Sequence, residues 1–237
     1  MTDIHSHLIF NVDDGSKSLE ESISTLKKMK SVGFDNVIIT PHYINGTEYS
    51  SNNKLKLERF NKIKDELIKN NIDISIYLGN EIFINNDIVS LINDGEICPI
   101  NGKYLLVELP FHNKILNLDD ILYELTCCGY TPIIAHPERY SYFHDNYSLV
   151  DKLKEEGYLF QCNYGSIIGY YGKPSEKLIK YMLKNGYVDY FGTDVHGDNR
   201  MSVLDKFDKI EKSIIKVIGS KNYNIIKENC DELINNK

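Results

Sequence analysis

Two histidines near the N-terminus, His5 and His7, are separated by a single serine. Residues i and i+2 of a β-strand point to the same side, so both imidazoles can bind one metal ion. Further residues of metal-binding types stand downstream, each where an apolar run stops: His42, Glu81, Glu108, His136, Asp194 and His196. The pattern predicts a multinuclear metal site on the rim of a barrel.

Each of these residues, taken alone, is more often a surface or hydrogen-bonded side chain than a metal ligand. Five of the seven histidines nevertheless fall at predicted strand ends, where barrel enzymes keep their catalytic residues. The remaining two, His112 and His144, lie in polar loop contexts and are not predicted to bind metal. Chance is therefore a poor explanation for the positions of the other five.

The predicted ligands are a mixture of imidazoles and carboxylates. Such a mixture suits manganese, iron or zinc better than magnesium or calcium. Glu81 and Glu108 could bridge two ions, and ions held ~3.5–4 Å apart stabilise the attacking and leaving oxygens of a hydrolysis. The ligand types therefore favour a hydrolase over a redox enzyme.

The arginines suggest the class of substrate. Only three of the 27 basic residues are arginines, and two of them, Arg139 and Arg200, stand beside predicted metal ligands. The planar guanidinium matches phosphate oxygens in a way that lysine cannot, although surface solvation is the alternative role for either arginine alone. No cysteine has an arginine six positions later, so a phosphatase with a cysteine nucleophile is excluded. No G-x-x-x-x-G-K-[ST] sequence occurs, so a phosphate-binding loop of that type is excluded as well.

Composition limits the remaining classes. With 237 residues, 42% of them apolar, the chain can bury one substantial core, and a single domain over residues 1–237 is expected. A net charge of −7 without a basic run argues against nucleic acid or a membrane surface as partner. The absence of a signal-like segment and of a ~20-residue apolar stretch predicts a cytoplasmic protein without membrane insertion. Five cysteines, an odd number, are expected to be reduced.

The elements that position these residues repeat along the chain. Four helical patterns end at a glycine followed by an aromatic residue, which marks a helix-to-strand junction: Gly33-Phe34, Gly129-Tyr130, Gly157-Tyr158 and Gly186-Tyr187. Strands are predicted near 3–8, 37–40, 74–79, 104–108, 132–135, 159–163 and 189–193. Helices are predicted near 18–32, 53–70, 85–94, 117–128, 147–156, 174–185, 203–218 and 222–234. This alternation predicts an α/β fold with a parallel sheet, and the lack of G-x-G-x-x-G favours a closed barrel over an open doubly wound sheet.

An ordered set of motifs extends this interpretation over residues 1 to about 200. With these motifs the chain resembles the polymerase-and-histidinol-phosphatase (PHP) superfamily, and within it the bacterial manganese-dependent tyrosine-protein phosphatases of capsule and exopolysaccharide operons. The motifs are Asp3-Ile4-His5-Ser6-His7, Asp13-Asp14-Gly15, Thr40-Pro41-His42, Gly79-Asn80-Glu81-Ile82, His136-Pro137-Glu138-Arg139-Tyr140, Asn163-Tyr164-Gly165-Ser166 and Asp194-Val195-His196.

The resemblance implies a distorted (βα)7 TIM-like barrel with two or three divalent ions. These would be Mn²⁺, with iron, cobalt or zinc as alternatives. It implies that the first ion is held by His5, His7, Glu81 and Asp194, the second by Glu81, Glu108 and His136, and the third by Asp14, His42 and His196. Arg139 and Arg200 would bind the phosphate. The implied partner is the phosphorylated tail of a bacterial tyrosine kinase.

Three functions remain open on these grounds. Hydrolysis of protein phosphotyrosine is favoured, and its phenolate leaving group, with a pKa of about 10, needs little protonation to depart. The alternatives are a small-molecule phosphatase, such as one acting on histidinol phosphate, and a catalytically idle module that binds the kinase tail. Three tyrosines are candidates for stacking on an aromatic substrate, with core packing as the alternative: Tyr43, Tyr140 and Tyr164.

Overall fold

The expected α/β class is confirmed by a computed structural model, which describes residues 1–235. All strand pairs are parallel. The strands are β1 Thr2–Asp3, β2 Asn36–Ile39, β3 His42–Tyr43, β4 Ser75–Leu78, β5 Glu81–Phe83, β6 Tyr104–Glu108, β7 Thr131–Ala135, β8 Leu159–Asn163 and β9 Tyr190–Gly192.

Helices connect the strands. They are α1 Leu19–Ser31, α2 Asn53–Lys69, α3 Ile88–Asn93, α4 Leu118–Cys127, α5 Ser141–Asp145, α6 Ser148–Glu155, α7 Lys173–Lys184, α8 Met201–Asp205 and α9 Phe207–Glu232, with 3₁₀ helices at Pro137–Arg139, Tyr164–Ile168 and Gly197–Arg200. Helix α1 begins where predicted because the Ser18 side chain accepts a hydrogen bond from the Glu21 N–H. Its buried face, with Ile23, Leu26 and Met29, follows the predicted helical period.

The strands form two hydrogen-bonded sheets. Their orders are β1-β2-β4 and β3-β5-β6-β7-β8-β9. The sequence predicts seven strands, but two of these continue as separate short strands after a break, at Thr40-Pro41 and at Gly79-Asn80. Proline has no N–H to donate to a neighbouring strand, so the ladder is interrupted at Pro41. The parallel bridge between Ser6 and Val195 connects the N-terminal segment to the chain after β9.

Other predicted boundaries also differ from the structure. The strand expected at 3–8 is limited to Thr2–Asp3, because the chain after it turns to follow residues 194–195. The break between the helices expected at 203–218 and 222–234 is confirmed, because Gly219 inside α9 has the non-helical angles φ 79° and ψ 159°. The first of the two begins later than expected, at Phe207, after the separate helix α8. Helix α5 was not predicted, since five residues are too few to show a helical period.

Apolar side chains cover both faces of the curled parallel sheet. Ile38 of β2 and Leu106 of β6 belong to a cluster inside the curl, which also includes Ile133. Their sequence neighbours Val37 and Val107 belong to the larger cluster between the sheet and the helices. This double burial explains why the strands read as continuous apolar runs rather than alternating ones. Within residues 1–235, no helix is both long enough and apolar enough to cross a membrane.

Close backbone packing at the end of β9 leads to a prediction for Gly192. A Cβ at this position would lie 2.5 Å from the Cβ of His5 and 2.9 Å from Nε2 of Gln161. We expect Gly192→Ala to lower the free energy of unfolding by about 1–3 kcal/mol, as overpacking does, and the melting temperature by roughly 2–4 °C for each kcal/mol. Thermal unfolding measures the change. A melting temperature equal to that of the wild type would contradict the tight approach of Gly192 to His5 and Gln161.

Candidate metal centre

The carboxyl ends of the strands converge on one cluster of polar side chains. It contains the nine residues named above as candidate ligands: His5, His7, Asp14, His42, Glu81, Glu108, His136, Asp194 and His196. Eight of them stand within, or a few residues after, a strand, and Asp14 comes from the loop between β1 and α1. All except Asp14 and His42 are buried.

Glu81 lies at the centre of the cluster. Its Oε2 is 3.2 Å from Nε2 of His5, 3.2 Å from Nε2 of His7 and 3.0 Å from Nδ1 of His42. Its Oε1 is 2.8 Å from Nε2 of His136. The parallel pairing of His42 with Glu81, in β3 and β5, puts two of these residues side by side.

The ligand-type atoms fall into three overlapping groups. In each group the atoms lie within 4.8 Å of one another: His5, His7 and Glu81; His42, Glu81 and Glu108; and His7, Asp14, His42 and His196. Asp194 joins the first group, since its Oδ1 is 3.6 Å from Nε2 of both His5 and His7. The resemblance implies His136 with Glu81 and Glu108; Nε2 of His136 is 3.8 Å from Oε1 of Glu108.

The outward nitrogens of three histidines are bound to oxygen acceptors. Nδ1 of His7 donates to Asp13 at 2.7 Å, Nδ1 of His5 donates to Oε1 of Gln161 at 2.9 Å, and Nδ1 of His196 donates to the carbonyl of Asp194 at 3.0 Å. With the proton on Nδ1, a neutral imidazole presents the lone pair of Nε2 to the cluster. This arrangement of outer hydrogen bonds is typical of histidines that bind metals.

Several inward atoms of the cluster lack a hydrogen bond although other polar atoms lie close. Within residues 1–235, buried atoms without a hydrogen-bond partner include Oε2 of Glu81, Nδ1 of His42, Oδ1 of Asp14 and Nε2 of His196. Buried polar atoms are nearly always hydrogen-bonded in proteins, so their concentration here needs an explanation. Imidazole nitrogens and carboxylate oxygens that converge without hydrogen bonds fit the ligand atoms of a shared cation. The mixture of imidazoles and carboxylates fits manganese, iron or zinc.

The pKa shifts within the cluster also indicate that its carboxylates need positive charge nearby. Burial and the nearby Glu81 carboxylate raise the pKa of Glu108 to about 8. Burial disfavours a charge on His42, but the Glu81 carboxylate outweighs it and raises the pKa of His42 to about 10. Burial and the Arg139 charge lower the pKa of His136 to about 4, so this imidazole is neutral. The carboxylates thus need positive charge, which protons or metal ions supply.

Two residues of the cluster have a left-handed backbone. His136 has φ 33° and Asp194 has φ 53°. Left-handed conformations are uncommon for residues other than glycine, and such strain tends to occur at functional sites. His136 directly follows β7, and Asp194 stands two residues after the end of β9.

The two arginines bind the far oxygen of Asp194. Nη1 of Arg139 donates to Oδ2 at 2.9 Å, and Nη1 of Arg200 donates to the same oxygen. Asn163 Nδ2 donates there at 2.7 Å and the Tyr171 hydroxyl at 3.3 Å. Both guanidinium groups are partly exposed, at 16% and 21% of the side-chain surface, so they lie at the edge of the cluster facing solvent.

Two aromatic rings lie close to the Arg139 guanidinium group. Its guanidinium carbon is 4.8 Å from the centre of the Phe111 ring and 4.5 Å from that of Tyr171. Of the two roles that the sequence leaves open for Tyr43, Tyr140 and Tyr164, core packing is confirmed, since all three are at most 2% exposed. His112 and His144 lie outside the cluster, as predicted; His112 is exposed, and His144 binds the Glu138 carbonyl at 2.7 Å.

Sequence reasoning missed the residues that orient the ligands. Asp13 is part of the Asp13-Asp14-Gly15 motif, but the sequence does not show its role. In the structure its carboxylate binds Nδ1 of His7 and accepts the backbone N–H of His42. Gln161 and Asn163 stand two apart on β8, and their polar side chains among apolar neighbours were a usable signal. Tyr171 and Phe111 lie in loops, where the sequence shows no period from which a role could be predicted.

Fold and cluster together define an α/β protein with a candidate centre for divalent metals at the carboxyl ends of its strands. The chain belongs to the CpsB/CapC family of capsular polysaccharide synthesis, whose profile matches residues 1–235.

Two curated relatives cover most of the chain. CapC of Staphylococcus aureus is 34% identical over 197 residues, which are 83% of this chain and 77% of CapC. YwqE of Bacillus subtilis strain 168, named a tyrosine-protein phosphatase, is 30% identical with the same coverage. One similar solved chain comes from the crystal structures of YwqE of Bacillus subtilis and CpsB of Streptococcus pneumoniae, which are described as metal-dependent tyrosine phosphatases. It is 27% identical, has a TM-score of 0.91, and covers 99% of this chain and 94% of its own.

The position of Arg139 leads to a prediction. We expect Arg139→Lys to reduce turnover of a phosphotyrosine peptide at least about tenfold, because an ammonium cannot bind Asp194 and phosphate oxygens together as a planar fork does. Steady-state kinetics measure the loss. The control is Arg59→Lys, which keeps a donor for the Phe10 carbonyl that Arg59 binds at 2.6 Å. If Arg139→Lys turns over like the wild type, the role of Arg139 is limited to its ion pair.

Proposed function

We propose that this protein is a metal-dependent protein-tyrosine phosphatase. The observation that carries the proposal is the cluster around Glu81, in which ligand-type atoms converge without hydrogen bonds beside two partly exposed arginines. Two relatives that match most of the chain are named or described as tyrosine phosphatases, and one description states metal dependence.

The proposed ligands are the nine residues of the cluster. One ion would be held by His5, His7, Glu81 and Asp194, a second by Glu81, Glu108 and His136, and a third by Asp14, His42 and His196. We propose Mn²⁺ as the ion, with iron, cobalt or zinc as alternatives, because imidazoles and carboxylates are present together. When bound, such ions supply Lewis acidity and an activated water at neutral pH.

The chain's own residues bind and orient the substrate. Asp194 uses one oxygen for the imidazole side of the cluster and the other for Arg139 and Arg200. Since each guanidinium has five N–H donors, donors remain for the phosphate of a substrate. A phenolate has a pKa of about 10 and leaves without a dedicated acid, so phosphotyrosine suits these residues.

The proposed substrate is a phosphotyrosine segment of a cytoplasmic kinase that acts in capsule or exopolysaccharide synthesis. Membership of a capsular polysaccharide synthesis family supports this choice. We propose that the chain acts in the cytoplasm, where such a kinase tail would be reached.

We also propose that residues 1–235 form one domain built as a distorted (βα)7 barrel; residues 236 and 237, the end of the domain expected from sequence, lie outside the described residues. Strands β2 and β3 lie on either side of Pro41, and β4 and β5 on either side of Asn80, so each pair counts as one barrel strand. The bridge from Ser6 to Val195, with the hydrogen bond from His7 N to Val195 O at 2.9 Å, supports closure between the first and last strands.

Removing ligands tests the metal mechanism. We expect Glu81→Ala and His136→Ala to lower the phosphatase rate by ~10²-fold or more, the scale of lost electrostatic stabilisation. The fold should survive, since rim residues contribute little to the core. Elemental analysis should find two or three divalent ions in the wild type and fewer in Glu81→Ala, and chelation should abolish activity. The control is His112→Ala, an exposed position outside the cluster. Normal rates in both variants with full metal content would exclude this mechanism.

The leaving group tests the substrate class. We expect phosphotyrosine to be hydrolysed at least about tenfold faster than phosphoserine in peptides of the same flanking sequence, because an alkoxide leaves far less readily than a phenolate without an acid. Initial rates on both peptides, with histidinol phosphate as a third substrate, measure the preference. Equal rates on phosphoserine would refute the leaving-group argument, and a strong preference for histidinol phosphate would indicate a small-molecule phosphatase.

A further inference from the structure

One buried lysine side chain lies outside the cluster of candidate ligands. Lys56, on helix α2, is 0% exposed. Its Nζ donates to Oδ1 of Asn80 at 2.8 Å and to the carbonyl of Glu96 at 2.8 Å, and it lies 5.2 Å from the centre of the Tyr43 ring. Both hydrogen-bond acceptors are neutral.

Such a lysine is costly to bury. An ammonium loses its hydration in the interior, and burial lowers the pKa of Lys56 to about 8. Neutral acceptors return less energy than a carboxylate would, and an apolar side chain of similar length avoids the cost. Packing alone therefore does not account for a lysine at this position, and its contacts must be considered.

Through Asn80 and Pro41, Lys56 is connected to two residues of the cluster, Glu81 and His42. Oδ1 of Asn80 also accepts the Cys98 N–H at 2.9 Å, so the amide is held with Nδ2 on the opposite side. That Nδ2 donates to the carbonyl of Pro41 at 2.9 Å. The same carbonyl accepts the N–H of Glu81 at 3.1 Å.

Pro41 and Asn80 are the residues at which the two strands break. His42 follows the first break and Glu81 follows the second, and the two then pair in β3 and β5. Pro41 has no N–H, so one backbone hydrogen bond is missing at this point of the ladder, between the bonds from Gly79 N to Ile39 O at 2.9 Å and from Glu81 N to Pro41 O at 3.1 Å. The Asn80 amide adds a hydrogen bond to the Pro41 carbonyl, which joins the two breaks where the ladder is weakened.

We propose that Lys56 is a positioning residue for the metal centre. By holding the Asn80 amide, it fixes the two strand breaks and thereby the directions from which His42 and Glu81 approach the metal ions. The inference rests on the metal centre proposed above and concerns a residue that does not contact it.

The test compares three variants of the full chain loaded with Mn²⁺. Lys56→Met removes the donor at similar length. Asn80→Asp keeps the acceptor for Lys56 but removes the donor to Pro41, and its added negative charge would by itself strengthen cation binding. The control is Lys62→Met, on the same helix, where the lysine is half exposed and pairs with Glu58 at 2.7 Å.

Two quantities are measured. They are the chelator concentration that removes half of the Mn²⁺ and the melting temperature in excess chelator. We expect both Lys56→Met and Asn80→Asp to lose metal at chelator concentrations about 10–100-fold below the wild type, as when outer partners of ligands are lost. Lys62→Met should match the wild type. A lower melting temperature with unchanged metal retention would show a structural role only and would overturn the inference.

Two further outcomes are decisive. If Lys56→Met does not fold, Asn80→Asp decides alone: wild-type retention of Mn²⁺ overturns the inference, and weakened retention supports it. If the wild type binds none of the divalent ions Mn²⁺, Fe²⁺, Co²⁺ and Zn²⁺, the metal centre fails and the inference fails with it; if it binds one of the last three instead of Mn²⁺, the variants are compared with that ion. Binding by the wild type, with both variants equal to it, refutes only the role of Lys56.

Discussion

The geometry of the candidate metal centre depends on the contact of one carboxylate with four imidazoles. Glu81 meets His5, His7, His42 and His136, all within 3.2 Å, and these histidines come from three other strand ends. Residues so far apart in sequence meet only because the parallel sheet curls and brings its carboxyl ends together. Several atoms of these imidazoles and carboxylates have no hydrogen-bond partner, and this arrangement fits a set of ligands around the proposed cations.

Most candidate ligands of this cluster could be predicted from the sequence because the signal for each is local. A candidate ligand such as His136 follows an apolar run directly, and a parallel sheet puts the ends of such runs at one edge. The strand breaks at Pro41 and Asn80 were not predicted, since a short apolar run does not reveal where its hydrogen-bond ladder changes partner. The roles of Asp13 and Gln161 were missed for the same reason: their partners are fixed by tertiary contacts rather than by spacing along the chain.

Asp194 explains why two arginines can stand beside a site that attracts cations. Its Oδ1 faces His5, His7 and His196, while Oδ2 receives Arg139 and Arg200. The carboxylate thus separates a region suited to cations from an edge suited to anions by little more than its own width. A phosphate ester needs both, because its oxygens bind positive charge from metals on one side and from guanidinium groups on the other.

The left-handed backbone of His136 and Asp194 also restricts how the cluster can evolve. Aspartate, asparagine and histidine are the non-glycine residues that adopt this conformation most readily, whereas β-branched and bulky residues strain it. Of these three, only aspartate and histidine are common metal ligands, so coordination and backbone tolerance select the same two residue types. In the proposed metal centre, very few residue types can therefore occupy these two positions, whereas the candidate ligands with ordinary backbone angles are limited by coordination chemistry alone.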